Sequence, residues 1–178
     1  NKYQYNIHAN PDSIPVKYSN WYPPVKVTEK NTDYAQLLMP DLASAVSEMK
    51  LYINIYSNPG NIVYKFAGIS QIRRIIKRIA VVEEHHFSVI GQLIALLGGQ
   101  PECRSSESKS FWCGDMVDYS PDIYTILAVN AKSEKFAAKA YLEQSREIKD
   151  PLVSKMLARL ALDEKLHYNI FSDFLSQI

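Results

Sequence analysis

Cysteine is scarce in this sequence, with two in 178 residues. That is too few for the paired CxxC ligands of a zinc ribbon or a rubredoxin-type centre. No sign of charge dominates either. Twenty Lys and Arg against nineteen Asp and Glu leave a formal net charge of +1, which gives no bulk attraction to nucleic acid or to an anionic membrane. No stretch approaches about 18 uninterrupted apolar residues, so a membrane-spanning helix is not expected. The N-terminal NKYQYNIHANPDS is polar and lacks the apolar run of a signal peptide. P-loop and Ser/His/Asp patterns are absent, and Gly98-Gly99 reads as a helix stop rather than a phosphate cradle. What is present is ordinary globular material, 47% hydrophobic and 22% charged. A chain of this size forms one domain that hides roughly 70% of its unfolded surface. A cytoplasmic protein is expected, with Cys103 and Cys113 as free thiols.

Five of the nine prolines (Pro11, Pro15, Pro23, Pro24 and Pro40) fall within residues 1–40, where no helical or strand period is sustained. This reads as an extended arm that wraps its own domain, packing through Tyr3, Tyr5, Tyr18, Trp21 and Tyr22. Four helical segments follow. The first runs from Asp41 to about Ser57 and stops at Asn58-Pro59-Gly60. The second spans about Ala67 to Leu97. The third runs from Pro121 to Lys149, with Ser120 as N-cap, and the fourth starts at Pro151 behind an Asp150 cap. The loops 58–66 and 98–120 show no β alternation. The expected fold is all-α: an antiparallel four-helix bundle over 41–178 with an irregular N-terminal arm over 1–40. The basic run QIRRIIKR (71–78) has no aromatic interleaving and reads as a solvated face, without nucleic-acid contact.

Chemistry enters along the apolar stripes, read in steps of three and four. The second segment gives Ile72, Ile76, Ile79, Glu83, His86, Ile90, Leu93, and the fourth gives Val153, Leu157, Leu160, Glu164, His167, Phe171, Phe174. Both place Glu-x-x-His in the middle of the buried face. The first gives Asp41, Ala45, Glu48, Tyr52, Ile55 and the third Leu127, Asn130, Glu134, Ala138, Tyr141, each with one glutamate at its centre. The order is an internal repeat: Glu48 then Glu83/His86, Glu134 then Glu164/His167. Glutamates within each half are 35 and 30 residues apart, the span of a helical hairpin.

Four carboxylates converging in a core would cost several kcal/mol each if unpaired. Two divalent cations bring +4 against their −4. Carboxylates with one imidazole per metal suit iron or manganese rather than a structural zinc site. Glu48, Glu83, His86, Glu134, Glu164 and His167 are therefore the candidate ligands of a dinuclear centre, with two Fe ions or alternatively two Mn ions. Asp163 is placed to accept the free ring N–H of His86. Val82 occupies the matching position before Glu83, which leaves His167 to find another partner. Tyr52 and Tyr141 face inward, where each could hydrogen-bond a carboxylate, quench an oxidising equivalent or simply fill core.

At these residues the chain resembles the ferritin-like superfamily, most closely the bacterial rubrerythrin-like proteins. The carriers are NTDYAQLLMPDLASAVSEMKLYINIY, IAVVEEHHFSVIGQLIALLGG, NAKSEKFAAKAY and LARLALDEKLHYNIF. The resemblance implies that Glu83 and Glu164 bridge the metals, with Glu48 and Glu134 terminal and one histidine on each ion. It further implies a non-haem di-iron oxidoreductase that reduces peroxide or dioxygen, commonly as a homodimer. No rubredoxin domain follows in this sequence, so an external electron donor such as a rubredoxin is expected. The extra third-helix glutamate of classical rubrerythrins is Ala137 here. Two other activities compete: a di-manganese catalase, which needs no donor, and an iron-storage or structural metal-binding protein.

Overall fold

The computed structural model describes residues 2–56, 68–104 and 110–178, with the backbone alone at 55 and 56. Regular structure among them is helical, apart from one antiparallel bridge between Arg104 and Phe111. Helix α1 spans Thr32–Ser47, α2 Lys50–Tyr56, α3 Ile69–Leu96, α4 Ile123–Glu147 and α5 Pro151–Leu175. The all-α class is as expected. The stop at Asn58-Pro59-Gly60, the 58–66 loop and the start of the second segment at Ala67 lie outside the described residues.

Two helix starts differ from the expected ones. α1 begins at Thr32, inside the stretch assigned to the arm, and carries Pro40 in its interior. Proline there forfeits one backbone hydrogen bond and costs about 3 kcal/mol. Burial of Ala35, Leu38, Met39 and Leu42 against α3 outweighs that cost, and the Asn31 side chain caps the new start by accepting from Tyr34 N. α4 begins at Ile123 rather than Pro121. Asp122 is its cap, accepting from Thr125 N at 2.8 Å, while Ser120 Oγ accepts from Asp122 N just outside the helix. The other signals stand where the sequence put them. Asp150 caps α5, accepting from Leu152 N and Val153 N. Gly98, at φ +90°, ends α3 in a conformation that favours glycine. A Cβ on Gly99 would come within 2.7 Å of the Ala35 Cβ, so the end of α3 also seats α1.

The core forms two apolar layers. One contains Leu51, Ile72, Ile75, Ile76, Ile79, Leu127, Ile170, Phe171 and Phe174. The other contains Leu38, Leu42, Ile90, Leu93, Ile94, Tyr141, Val153, Leu157 and Leu160. The six candidate ligands fall, in sequence, between these two layers. α3 is long and apolar enough to cross a membrane by length and composition, which uninterrupted apolar runs alone did not suggest; half of its most apolar window is buried inside the protein.

The arm lies on the helices. Tyr5, Ile7, Ile14 and Val16 complete the first layer, and Tyr22, Val25 and Val27 pack on the second. Tyr3 donates to the Ser176 carbonyl. Tyr18 and Trp21, expected to be packed, are instead exposed, under cations from Arg159 and Lys155 respectively. The basic run is not simply a solvated face either. Arg74 pairs with Asp12, and Arg78 donates to the carbonyls of Pro11 and Ile14, so this run fastens the arm. Cys103 and Cys113 are free thiols.

Candidate metal centre

Between the two apolar layers stand the residues that the four stripes placed there. Glu48 closes α1, Glu83 and His86 sit on α3, Glu134 on α4, and Glu164 and His167 on α5. All six are at most 3% exposed. Glu83, Glu134, Glu164 and His167 each present one ligand atom, all within 4.8 Å of one another, and could hold a metal ion. His167 Nδ1 lies 2.9 Å from Glu83 Oε1 and 3.6 Å from both Glu134 Oε2 and Glu164 Oε2. His86 flanks the quartet, with Nδ1 3.0 Å from Glu164 Oε1 and 3.3 Å from Glu83 Oε2. The two imidazoles are 6.4 Å apart and nearly parallel.

Glu48 differs from the other five. Its Oε2 accepts from the buried Lys50 Nζ at 3.0 Å, and Lys50 also donates to Ser133 Oγ. Helical periodicity conceals this pair, because residues two apart point to different faces. Only the break at Glu48–Met49 between α1 and α2 turns Lys50 back toward Glu48.

The residues fit a cation. Glu83 Oε1, both Glu134 oxygens, Glu164 Oε2 and His167 Nδ1 are shielded from solvent and have no hydrogen-bond partner among the described residues. His167 Nδ1 and Glu83 Oε1 are close but too poorly aligned to bond. Orphaned carboxylate oxygens at this depth are costly unless something positive answers them. Neither a family model nor a curated protein matches this sequence. The chemistry of the centre is therefore read from its own atoms.

The electrostatics show the same tension. Burial, then the charges of Glu164 and Glu83, push the Glu134 carboxyl well above its usual range. Burial also raises Glu48, against the pull of Lys50. For Glu164 burial works upward but is outweighed by the charge of His86 and by the nearness of both imidazoles, which hold it below the usual carboxylate range. Burial would lower both histidines, yet the surrounding glutamates raise them well above their ordinary value. A bound cation would displace these protons, since metal ligands must be unprotonated.

An outer ring of contacts fixes the imidazoles. His86 Nε2 lies 3.1 Å from Asp163 Oδ2, the pairing its neighbour Glu164 suggested. Asp163 in turn accepts from Tyr18 N at 2.6 Å and Tyr22 Oη at 2.5 Å, and it pairs with Arg159 at 2.8 Å. Burial opposes ionisation of Asp163, but His86, Tyr22 and Tyr18 together hold its carboxyl down at about 2. Burial and the bond to Asp163 push the Tyr22 phenol up to about 12. His167 Nε2 finds its partner in the arm, the Val16 carbonyl at 2.7 Å. Val16, Tyr22 and Arg159 were not anticipated as part of the site, and for Val16 no signal exists, because every residue carries a carbonyl. Tyr141 is buried with its ring 6.5 Å from that of His86, edge to face. Tyr52 is half-buried and packs on the first apolar layer.

Proposed function

We propose that this protein is a ferritin-like, rubrerythrin-like di-iron oxidoreductase that reduces peroxide or dioxygen with electrons from an external donor. The observation that carries the reading is the buried polar layer. Glu83, Glu134, Glu164 and His167 meet there with His86 against them and Glu48 buried in the same layer, and five of the quartet's atoms are unpartnered. In this reading the helices form an antiparallel four-helix bundle. Glu83, Glu164, Glu134, Glu48, His86 and His167 would hold the two ions, with Glu83 and Glu164 serving both and each of the others one. Two iron ions held there would supply the electron pair that cleaves an O–O bond.

The protein's own part is orientation and exclusion of water. Asp163 holds the far nitrogen of His86 and Val16 that of His167, so each imidazole presents Nδ1 to the centre. Lys50 fixes Glu48 on one side, which makes the two halves of the centre unequal. The apolar layers above and below keep solvent from the carboxylates.

The test is metal analysis of the purified protein, followed by anaerobic reaction of its reduced form with peroxide. Two irons per chain are expected, with oxo-bridged ferric absorption after one equivalent of peroxide. Glu83→Ala and Glu164→Ala should each abolish dinuclear binding. Two metals retained in both variants would sink the assignment of the bridging glutamates. Two manganese ions with oxygen evolution in the absence of reductant would replace the reading by a catalase. Ferroxidase turnover with many irons retained per chain would replace it by storage.

A further inference from the structure

A buried ammonium group stands beside the metal centre without being a candidate ligand. Lys50 is the first residue of α2, and Glu48, two residues earlier, is the C-cap of α1. Lys50 Nζ lies 3.0 Å from Glu48 Oε2 and 3.2 Å from the hydroxyl of Ser133, the residue before Glu134. Both Lys50 and Glu48 are buried. A lysine is almost never this deep unless paired, and here its partner is one of the six residues expected to hold metal.

Lys50 upsets the charge balance of a two-ion centre. With the imidazoles neutral, as metal ligation requires, the four buried glutamates alone would match two divalent ions. Asp163 adds nothing, because Arg159 pairs with it. The Lys50 ammonium, however, has already answered one carboxylate charge. A first divalent ion then leaves the layer one negative charge short of neutral, and a second carries it one positive charge past. Such an excess is costly where water is excluded, since charges interact there several-fold more strongly than in bulk solvent. The geometry separates the two ions. Glu83, Glu134, Glu164 and His167 present atoms within 4.8 Å of one another. Glu48 and His86 stand outside that quartet, His86 with Nδ1 toward Glu83 and Glu164, and Glu48 with one oxygen engaged by Lys50. An ion drawing on Glu48 must compete with the ammonium for it, and an ion in the quartet need not. Resting on the two-ion reading above, we infer that Lys50 makes the centre load in order: the quartet fills first and tightly, and the place completed by Glu48 and His86 fills second and more weakly.

Manganese(II) alone is the probe, because it is stable as a divalent ion and its electron paramagnetic resonance separates isolated from coupled ions. The full chain, freed of metal by a chelator, is titrated by calorimetry with spectra taken along the way. Two steps of one ion each are expected, the second about a hundredfold weaker. The isolated-ion signal at one equivalent should give way to a coupled pair in excess manganese. Lys50→Met should narrow the gap by about tenfold or more, chiefly by tightening the second step, whereas Lys50→Arg should preserve it. Glu48→Gln should remove the second step and leave the first within about threefold. A lysine that merely supported the fold would weaken both steps when replaced. Should Lys50→Met fail to fold by circular dichroism, Lys50→Gln, which keeps a donor to Glu48 without the charge, decides. Two equal steps in the parent, or a gap unchanged without the lysine, would overturn this role of Lys50 and leave the two-ion centre standing. At most one ion in every protein would instead overturn the two-ion reading, and this inference with it.

Discussion

Asp41 illustrates at the scale of one residue what a buried carboxyl does when no cation answers it. Burial is the main cause of its rise to about 7, with Gln144 pulling down and the Glu164 charge pushing up. A raised folded-state value means the folded chain holds the proton longer than the unfolded chain does. The protein therefore loses stability as pH climbs from the unfolded value near 4 through 7, and keeps the lost amount above that. Asp41→Asn removes the titration with almost no change of shape. It should be more stable than the parent at pH 8 by about 4 kcal/mol and equal to it near pH 4. Urea unfolding of both proteins at the two pH values measures this, and a constant difference between them would contradict it. The burial of the six candidate ligands was legible for a related reason. In each helix an acidic residue interrupts an apolar stripe at the same depth, and burial makes such an interruption expensive. Lys50 was not legible, because its approach to Glu48 depends on a helix break that no stripe records.

Helices begin where a side chain answers the first free N–H groups, and the two aspartate caps of α4 and α5 do this under different loads. Asp122 is exposed and bonds only within its own turn, to Thr125 N and Oγ1. Asp150 is buried and bonds twice over. Its Oδ1 accepts from Leu152 N and Val153 N, and its Oδ2 accepts from Thr28 N and Oγ1 in the arm. Asp122→Ala should cost about 1 kcal/mol, the ordinary worth of a cap, whereas Asp150→Ala should cost about 2 kcal/mol or more. Denaturant midpoints of the two variants check the order, and equal losses would show that the Thr28 bonds add nothing. The cap at Asp150 was readable from sequence because Asp-Pro is a strong local signal. The start of α1 was not. Pro40 is a genuine local penalty, and only burial against α3, a contact between distant parts of the chain, overrides it.

Across the whole molecule, the arm joins the candidate metal centre to the protein surface through Arg159. Its guanidinium donates to the carbonyls of Trp21 and Ser19, pairs with Asp163, and lies 4.1 Å from the centre of the Tyr22 ring. Asp163 leads from there to His86, and the same stretch of arm brings the Val16 carbonyl to His167. The arm therefore holds His167 directly and supports His86 through Asp163, which accepts from Tyr18 N and Tyr22 Oη. Arg159→Met keeps the length of the stem but removes the donors, which should loosen the arm and with it the aim of both nitrogens. Trypsin should then cut faster at Lys17 or Lys26, and competition with a chelator should show metal affinity lower by roughly 10- to 100-fold, the usual effect of losing partners behind a ligand. A substitution of the exposed Lys155, whose ammonium lies over the Trp21 ring, should change neither. The two measurements separate a cover from a support. Faster cleavage with unchanged metal affinity would mean that the arm merely shields the helices. Both changing together would mean that a proline-rich segment with no period of its own sets the geometry of the buried centre.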